Sequence, residues 1–194
     1  MHIAPVFHFP EAAIFWIVVV WVMIPEIRIF RNAAKSLESS QDAGTLRIIN
    51  VGGQLASLVS YAISFLPWFT IPWPITSLVV GTCLVLAGGI LRQICFRALG
   101  KYFTGTVIVS KDQPIIETGP YRWVRHPSYT AGFLFNVGLG IALGSWLCVA
   151  ILFAAMCLVC SLRVRAEERA FLETIGEPYR AYMSRTRRFI PFLV

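Results

Sequence analysis

The sequence predicts an all-α fold: a polytopic membrane helix bundle of about five transmembrane helices, the fourth and fifth folded as a tight hairpin. Three observations carry this. The chain of 194 residues is 57% hydrophobic and 14% charged, whereas a soluble domain is nearer a quarter charged. No Asp, Glu, Lys or Arg occurs between Arg47 and Arg92, or between Arg125 and Arg163. Crossing a bilayer core takes ~20 mostly apolar residues, so each silent interval is long enough for about two crossings. All the basic residues fall in segments that five spans would place on one side. The chain therefore reads as a single integral membrane domain, residues 1–194.

The first helix is bounded by Glu11 and Pro25 and is apolar from Ala12 to Ile24. That is short for a span, so it is expected to continue toward Phe30, with Arg28 and Arg31 snorkelling to the interface. No basic run precedes it and no small-residue cleavage pattern follows, which favours a retained helix over a signal peptide. The prolines of FLPWFTIPWP break the next interval. They place the second helix over about residues 46–66 and the third over about residues 75–92. Trp68 and Trp73 at this turn fit an interfacial aromatic belt. The interval 129–162 is too long for one straight crossing and tight for two. It is expected to form a close hairpin turning near Gly144 and Ser145, with one or both arms short. Gly132, Gly138 and Gly140 would let its two backbones approach. Gly52, Gly53, Gly88 and Gly89 lie within spans and read as helix-packing glycines.

The basic residues cluster as Arg28, Arg31, Lys35 and Arg47; then Arg92, Arg97, Lys101, Lys111, Arg122 and Arg125; then Arg163, Arg165, Arg169, Arg180, Arg185, Arg187 and Arg188. These are all 17 Lys and Arg of the chain. The positive-inside rule then puts the N-terminus outside and the C-terminus in the cytoplasm. Net charge of +7 is accounted for by this topology and by attraction to anionic membrane lipids. It does not point to nucleic acid. The five cysteines sit in or beside apolar helices. Cys157 and Cys160 form a CxxC without a paired second motif, so neither disulfide nor metal is expected.

The inner face has two sizeable pieces, about residues 92–128 and 163–194, too small for a separate nucleotide-binding domain. No GxGxxG after a strand, Walker A, HExxH or GxSxG occurs. The first piece contains GPYRWVRHPSY, a loop punctuated by prolines and ending at the start of the fourth helix. Two readings of it stand. Unpaired N–H groups near Pro127 and Ser128 make a receptor for a carboxylate. Alternatively Tyr121, Trp123 and Arg125 anchor the chain at headgroup level, with His126 capping. In the second piece no Gly or Pro interrupts the fifth helix between Ser145 and Gly176. Arg163 and Glu167 are four apart and share a face. An exposed pair of this kind contributes little, but this one lies at the membrane exit, where ionisable groups usually face a cavity. Glu168 is the weaker candidate, because it points away from Arg163.

With GPYRWVRHPSY before a hairpin, RVRAEE at its exit and EPYRAYMSRTRRFIP beyond, the sequence resembles the isoprenylcysteine carboxyl methyltransferase family over about residues 113–191. The resemblance implies transfer of methyl from S-adenosyl-L-methionine to the C-terminal carboxylate of a prenylated cysteine, with S-adenosyl-L-homocysteine as product. It puts a small cofactor site on the inner face, carried by the C-terminal half, residues 92–194. It assigns Gln113, Pro114, Ile115, Ile116, Tyr121, His126, Pro127, Ser128, Tyr129 and Glu167 to cofactor binding, and Arg163 to the substrate position as the catalytic residue. Thr106 matches a further cofactor contact loosely. The additional N-terminal helices of eukaryotic members are missing, so the chain resembles a compact prokaryotic homologue of the cell membrane. The acceptor is then better described as a lipophilic carboxylate entering from the bilayer.

The residues suit these roles. A terminal carboxyl of pKa ~3.5 is already ionised at neutral pH, so methyl transfer needs no general base. It needs a cation for the nucleophile, in-line approach and exclusion of water. Two alternatives share a related C-terminal half: phospholipid N-methyltransferases and NADPH-dependent sterol-type reductases. The latter would use Arg185, Arg187 and Arg188 around a nucleotide phosphate, where the simpler reading is inner-leaflet anchoring.

Overall fold

The structure, a computed structural model, describes residues 4–35, 45–103 and 109–189. Six α-helices account for most of these residues: α1 (Ala13–Lys35), α2 (Thr45–Ile63), α3 (Pro74–Leu99), α4 (Pro127–Ala142), α5 (Trp146–Thr174) and α6 (Glu177–Arg185). Isolated bridges are the sole extended pairing among the described residues.

The differences from the sequence expectation have local causes. α1 runs through Pro25 and well past Phe30, as membrane helices do when neighbours satisfy the freed backbone groups. α2 stops at Ile63, ahead of the expected end; the chain tightens into a turn, with Leu66 N–H donating to Ile63 O at 2.8 Å. Pro67 follows, and the residue before a proline is disfavoured in the α region. α3 continues past Arg92 to Leu99 because nothing breaks it until Gly100, whose φ of 53° ends the helix. The hairpin turns where expected. Gly144 has φ of 72° and Ser145 caps α5 in an extended conformation.

α3 and α4 pack most intimately. A Cβ on Gly81 would lie 2.6 Å from the backbone nitrogen of Ala142, and one on Gly88 would lie 2.7 Å from Ala131 O. Gly140 meets the Val149 backbone of α5 and Gly132 meets Met156, as the hairpin requires. Gly138 instead faces Gly81 and Val85 of α3, so it serves a different interface from the one expected. Gly88 and Gly89 are packing glycines, but among the described residues nothing lies within 4 Å of where a Cβ would stand on Gly52 or Gly53. The core gathers Phe15, Val22, Val85, Leu139, Leu143 and Leu152 from α1, α3, α4 and α5.

Outside that core the helices present large apolar side chains, among them Ile17 on α1, Leu58 on α2, Val79 on α3 and Leu158 on α5, to the surroundings. Such a surface suits lipid rather than water. Among the described residues, two helices are long and apolar enough to cross a membrane, Pro74–Tyr102 and Trp146–Thr174, while the apolar parts of α1 and α2 are shorter. At one end of the bundle the α2–α3 turn is stitched to the hairpin turn: Ile71 N–H donates to Gly144 O and Trp146 N–H to Phe69 O, both at 2.8 Å. Pro5 packs against Gly144 at the same end. The site forms at the opposite end.

Candidate functional site

The site is built where α5 leaves its apolar run. Arg163 Nε donates to Glu167 Oε1 at 3.1 Å, one turn further on. Arg163 is only 4% exposed, so this is not a solvated ladder on a helix surface. Charges held at such a depth must be paired and hydrogen-bonded. The same Glu167 oxygen accepts the Tyr129 hydroxyl at 2.6 Å, and Oε2 lies 3.6 Å from His126 Nδ1. Tyr129 and His126 come from the start of α4, where His126 is the N-cap residue and Pro127 the first helical position. Proline suits that position because its missing N–H has no helical partner there.

His126 is buried and bridges two carboxylates, with Nε2 3.3 Å from Glu168 Oε1. Burial pulls its pKa down, but the hydrogen bonds and charges of Glu167 and Glu168 outweigh it and raise the pKa above the ordinary imidazole value. The imidazolium is thereby favoured.

Glu168 corrects the sequence expectation. Its side chain does leave the Arg163 face, but it finds a second set of partners. Arg125 Nε stands 3.2 Å from Oε1 and Arg188 Nη2 2.8 Å from Oε2. Arg125 is therefore no headgroup anchor. Its side chain is 9% exposed, and its Nη1 donates to Met183 O at 2.9 Å and to Thr186 O. Trp123 is 49% exposed with the Arg122 guanidinium 5.1 Å from its ring, which suits an interfacial position.

Residues 186–189 form a strap across this loop. Arg125 N–H donates to Arg187 O at 2.7 Å, His126 N–H to Arg188 O at 2.9 Å and Arg187 N–H to Trp123 O at 3.1 Å. Thr130 Oγ1 donates to Phe189 O at 2.7 Å. Two of the three tail arginines expected at a membrane surface or a nucleotide phosphate are committed elsewhere, Arg188 to Glu168 and Arg185 to Glu117.

Tyr121 is buried beside Cys95 and Ser128, and burial pushes its phenol well above the ordinary value. Its carbonyl accepts the Tyr182 hydroxyl at 2.7 Å. Pro127 is buried and Ser128 half-buried. The structure thus brings Tyr121, His126, Pro127, Ser128, Tyr129, Arg163 and Glu167 to one end of the bundle. Gln113, Pro114, Ile115 and Ile116 form a stretch without regular secondary structure after a turn in which Gln113 N–H donates to Ser110 O at 3.0 Å. Among the described residues, no hydrogen bond joins that stretch to the Glu167 cluster. Thr106 lies outside the described residues. Cys157 and Cys160 are free thiols, one exposed and one buried.

Sequence reasoning missed Glu168, Arg125 and Arg188 as one ion-paired unit. It also missed Glu26, which pairs with Arg92 between α1 and α3. A signal for Glu26 was available: an acidic side chain in an otherwise apolar helix is costly and demands a partner.

The comparisons with known proteins bear on this same region. The model of the isoprenylcysteine carboxyl methyltransferase family matches residues 78–173, about half of the chain and all of α4. A protein-S-isoprenylcysteine O-methyltransferase of Saccharomyces cerevisiae is 32% identical over 117 residues, covering 59% of this chain and 49% of that protein. The Tribolium castaneum enzyme of the same name is 30% identical over 116 residues, covering 59% of this chain and 41% of that protein. The matched part thus spans less than half the length of these curated relatives. The solved structure of a eukaryotic intramembrane Ras methyltransferase of this type superposes with a TM-score of 0.56 at 25% identity, covering 78% of this chain and 53% of that one. The all-helical bundle, its lipid-suited surface and that intramembrane neighbour place the protein in a membrane. The matched residues include His126, Tyr129, Arg163, Glu167 and Glu168, and the chain belongs to the isoprenylcysteine carboxyl methyltransferase family.

Proposed function

We propose that the protein is an S-adenosyl-L-methionine-dependent carboxyl O-methyltransferase acting on the carboxylate of a lipophilic acceptor such as a prenylated cysteine. The observation that carries this is the cluster of buried Arg163 and His126 with half-buried Glu167 and Tyr129 at the end of the apolar run of α5, within the residues matched by the family.

The donor set fits such a cofactor. An amino-acid moiety needs an acceptor for its ammonium and donors for its carboxylate. Glu167 offers the first: a carboxylate has about four lone-pair sites, and Oε2 stands 3.6 Å from His126 Nδ1. In the first turn of α4 the N–H groups of His126, Tyr129 and Thr130 are bonded to backbone carbonyls and Pro127 has none, so the donor it would offer a carboxylate is the Ser128 N–H, with His126 a favoured positive charge beside it. Tyr121 or Tyr129 would flank the adenine. Gln113, Pro114, Ile115 and Ile116 would complete the pocket, a role supported by the family resemblance. When bound, S-adenosyl-L-methionine supplies an electrophilic methyl group on a sulfonium.

Arg163 does the positioning. Glu167 holds its Nε, which sets the guanidinium plane, and a guanidinium can grip the acceptor carboxylate through two parallel N–H bonds. The ionised acceptor needs no proton removed. Burial at the helix exit keeps water from the reacting oxygen and strengthens each charge interaction. The acceptor would arrive from the bilayer and the cofactor from the aqueous side.

The same reading takes the bundle as five spans, with the N-terminus outside and the C-terminus in the cytoplasm. What supports it is that Pro5, the α2–α3 turn and the α4–α5 turn meet at one end. None of these three segments carries a Lys or Arg.

Calorimetric titration of detergent-purified protein tests the assignment. S-adenosyl-L-homocysteine should bind and NADPH should not; NADPH binding alone would overturn it. Methyl delivered from labelled donor should be recovered as alkali-labile methanol, as an ester requires. Alkali-stable product would mean a phospholipid N-methyltransferase instead.

A further inference from the structure

Beyond the family-matched residues, α1 contributes a buried carboxylate. Glu26 is 8% exposed and follows Pro25 in the middle of the helix. Its carboxylate takes both Arg92 Nε and Arg92 Nη2, the latter at 3.0 Å. The guanidinium reaches further. Its Nη1 donates to the carbonyl oxygen of Ser128 at 3.3 Å, and its carbon lies 5.1 Å from the Phe96 ring centre and 5.5 Å from that of Phe103.

An ion pair between a buried Glu26 and a half-buried Arg92 is a poor device for stability alone. Desolvation offsets most of the attraction, and well-packed apolar side chains often do as well or better. What this pair does that apolar side chains cannot is hold a named backbone atom. Ser128 sits between Pro127 and Tyr129 in the first turn of α4, the turn that delivers His126 and Tyr129 to Glu167. One line of contacts therefore runs from Glu26 on α1, through Arg92 on α3 and Ser128 on α4, to Glu167 and Arg163 on α5. The aromatic rings of Phe96 and Phe103 keep the guanidinium from turning away.

We propose that Glu26 and Arg92 are positioning residues for methyl transfer: the ion pair fixes the first turn of α4, and with it His126 and Tyr129, against α5. The proposal rests on the methyltransferase reading above. Placement errors of about 1 Å at a reacting centre cost up to about 100-fold in rate, so a remote pair of this kind has leverage on turnover.

The test uses the full-length protein in detergent or proteoliposomes, with methyl-ester formation on a prenylcysteine analogue, affinity for S-adenosyl-L-homocysteine, and thermal melting as readouts. Arg92→Lys keeps a cation for Glu26 but cannot reach Glu26 and Ser128 together with a rigid fork. It should lower kcat about 10- to 100-fold, with acceptor KM little changed and melting close to wild type. Glu26→Gln keeps the volume and an acceptor oxygen and should show the same split more weakly. The exchanged pair, Glu26→Arg with Arg92→Glu, restores opposite charges but puts no donor at Ser128. It should recover melting relative to Arg92→Glu alone without recovering kcat. Wild-type turnover in Arg92→Lys, recovery of kcat by the exchanged pair, or losses that track only the folded fraction would each overturn the positioning role. A wild-type protein that binds S-adenosyl-L-homocysteine and forms no ester would overturn the functional reading and this proposal with it; an active wild type with indifferent variants would overturn the positioning alone.

Discussion

Tyr129 donates its hydroxyl to Glu167 across 2.6 Å, and the oxygen that receives it also receives Arg163 Nε at 3.1 Å. A single carboxylate oxygen thus joins the start of α4 to the exit of α5. Neither helix could turn or slide by a residue without breaking a charge-assisted bond, and such bonds contribute about 1.5–3 kcal/mol each. Glu167 is therefore the joint of the site, whereas Arg163 is one of the groups held by it.

That asymmetry separates two variants. Arg163→Ala leaves Glu167 with Tyr129 and His126, so the α4 end of the cluster keeps its shape. Transfer should fall below detection while S-adenosyl-L-homocysteine affinity stays within a few-fold of wild type. Glu167→Ala removes the acceptor that three donors share, and breaking a buried pair costs about 3 kcal/mol. It should weaken calorimetric affinity strongly and lower the melting temperature as well. Normal turnover of a carboxylate acceptor by Arg163→Ala would show that another group holds the nucleophile.

His126 makes the fold sensitive to pH in a definite direction. Its pKa is raised above 6.5 in the folded protein, because Glu167 and Glu168 outweigh the effect of burial. A raised pKa contributes stability that is fully present below the unfolded value and is lost as pH rises through the folded value. Melting temperature measured upward from about pH 6 should therefore decline on the alkaline side. His126→Gln should flatten that decline, lowering stability most at the acid end. Equal losses at all pH values would mean that His126 contributes packing only.

The bundle was legible because its physics is additive along the chain. Charge-free intervals, proline breaks and the unbroken run from Ser145 to Gly176 each report local constraints. Arg163 and Glu167 were legible for the same reason, since four residues on a helix place two side chains together. Glu168 was not. The rule that removes it from the Arg163 face is correct, but its partners Arg125 and Arg188 come from 43 and 20 residues away. No spacing rule reaches that far. Arg125 was misjudged for the complementary reason. Next to Trp123 and Tyr121 it has an anchor's composition, and only the strap of residues 186–189 turns it inward. Gly138 shows the same limit at the level of packing: its place in a hairpin helix says that it meets something closely, but not that the partner is α3.

The strap itself should protect the loop it crosses. Val124 pairs with Arg187, and Arg188 and Phe189 add bonds to His126 and Thr130. Ending the chain after Arg185 removes all of these and one of the cations on Glu168. Limited trypsin digestion should then cut after Arg122 and Arg125 several-fold faster than in the full chain, while sites on α1 change little. An unchanged digestion rate would mean that the loop is held by Arg125 and Glu168 without the strap.

The α3–α4 interface offers a paired test of how closely the bundle is built. A Cβ on Gly81 would stand 2.6 Å from both the Ala142 nitrogen and the Gly138 oxygen. These are backbone atoms of a neighbouring helix, so no side-chain rotation relieves the clash, and the helices must part. Overpacking of this kind costs about 1–3 kcal/mol and occasionally more. Gly81→Ala should therefore lower the melting temperature in detergent and reduce methyl transfer, because α4 carries Tyr129 and His126. Gly52→Ala is the contrasting change. Gly52 lies inside α2 with nothing among the described residues within 4 Å of the position a Cβ would take. There alanine removes the entropic penalty of a helical glycine and should stabilise the protein by about 0.5–1 kcal/mol. A neutral Gly81→Ala would show that α3 and α4 can separate without cost, and the close contact would then have no part in placing the site.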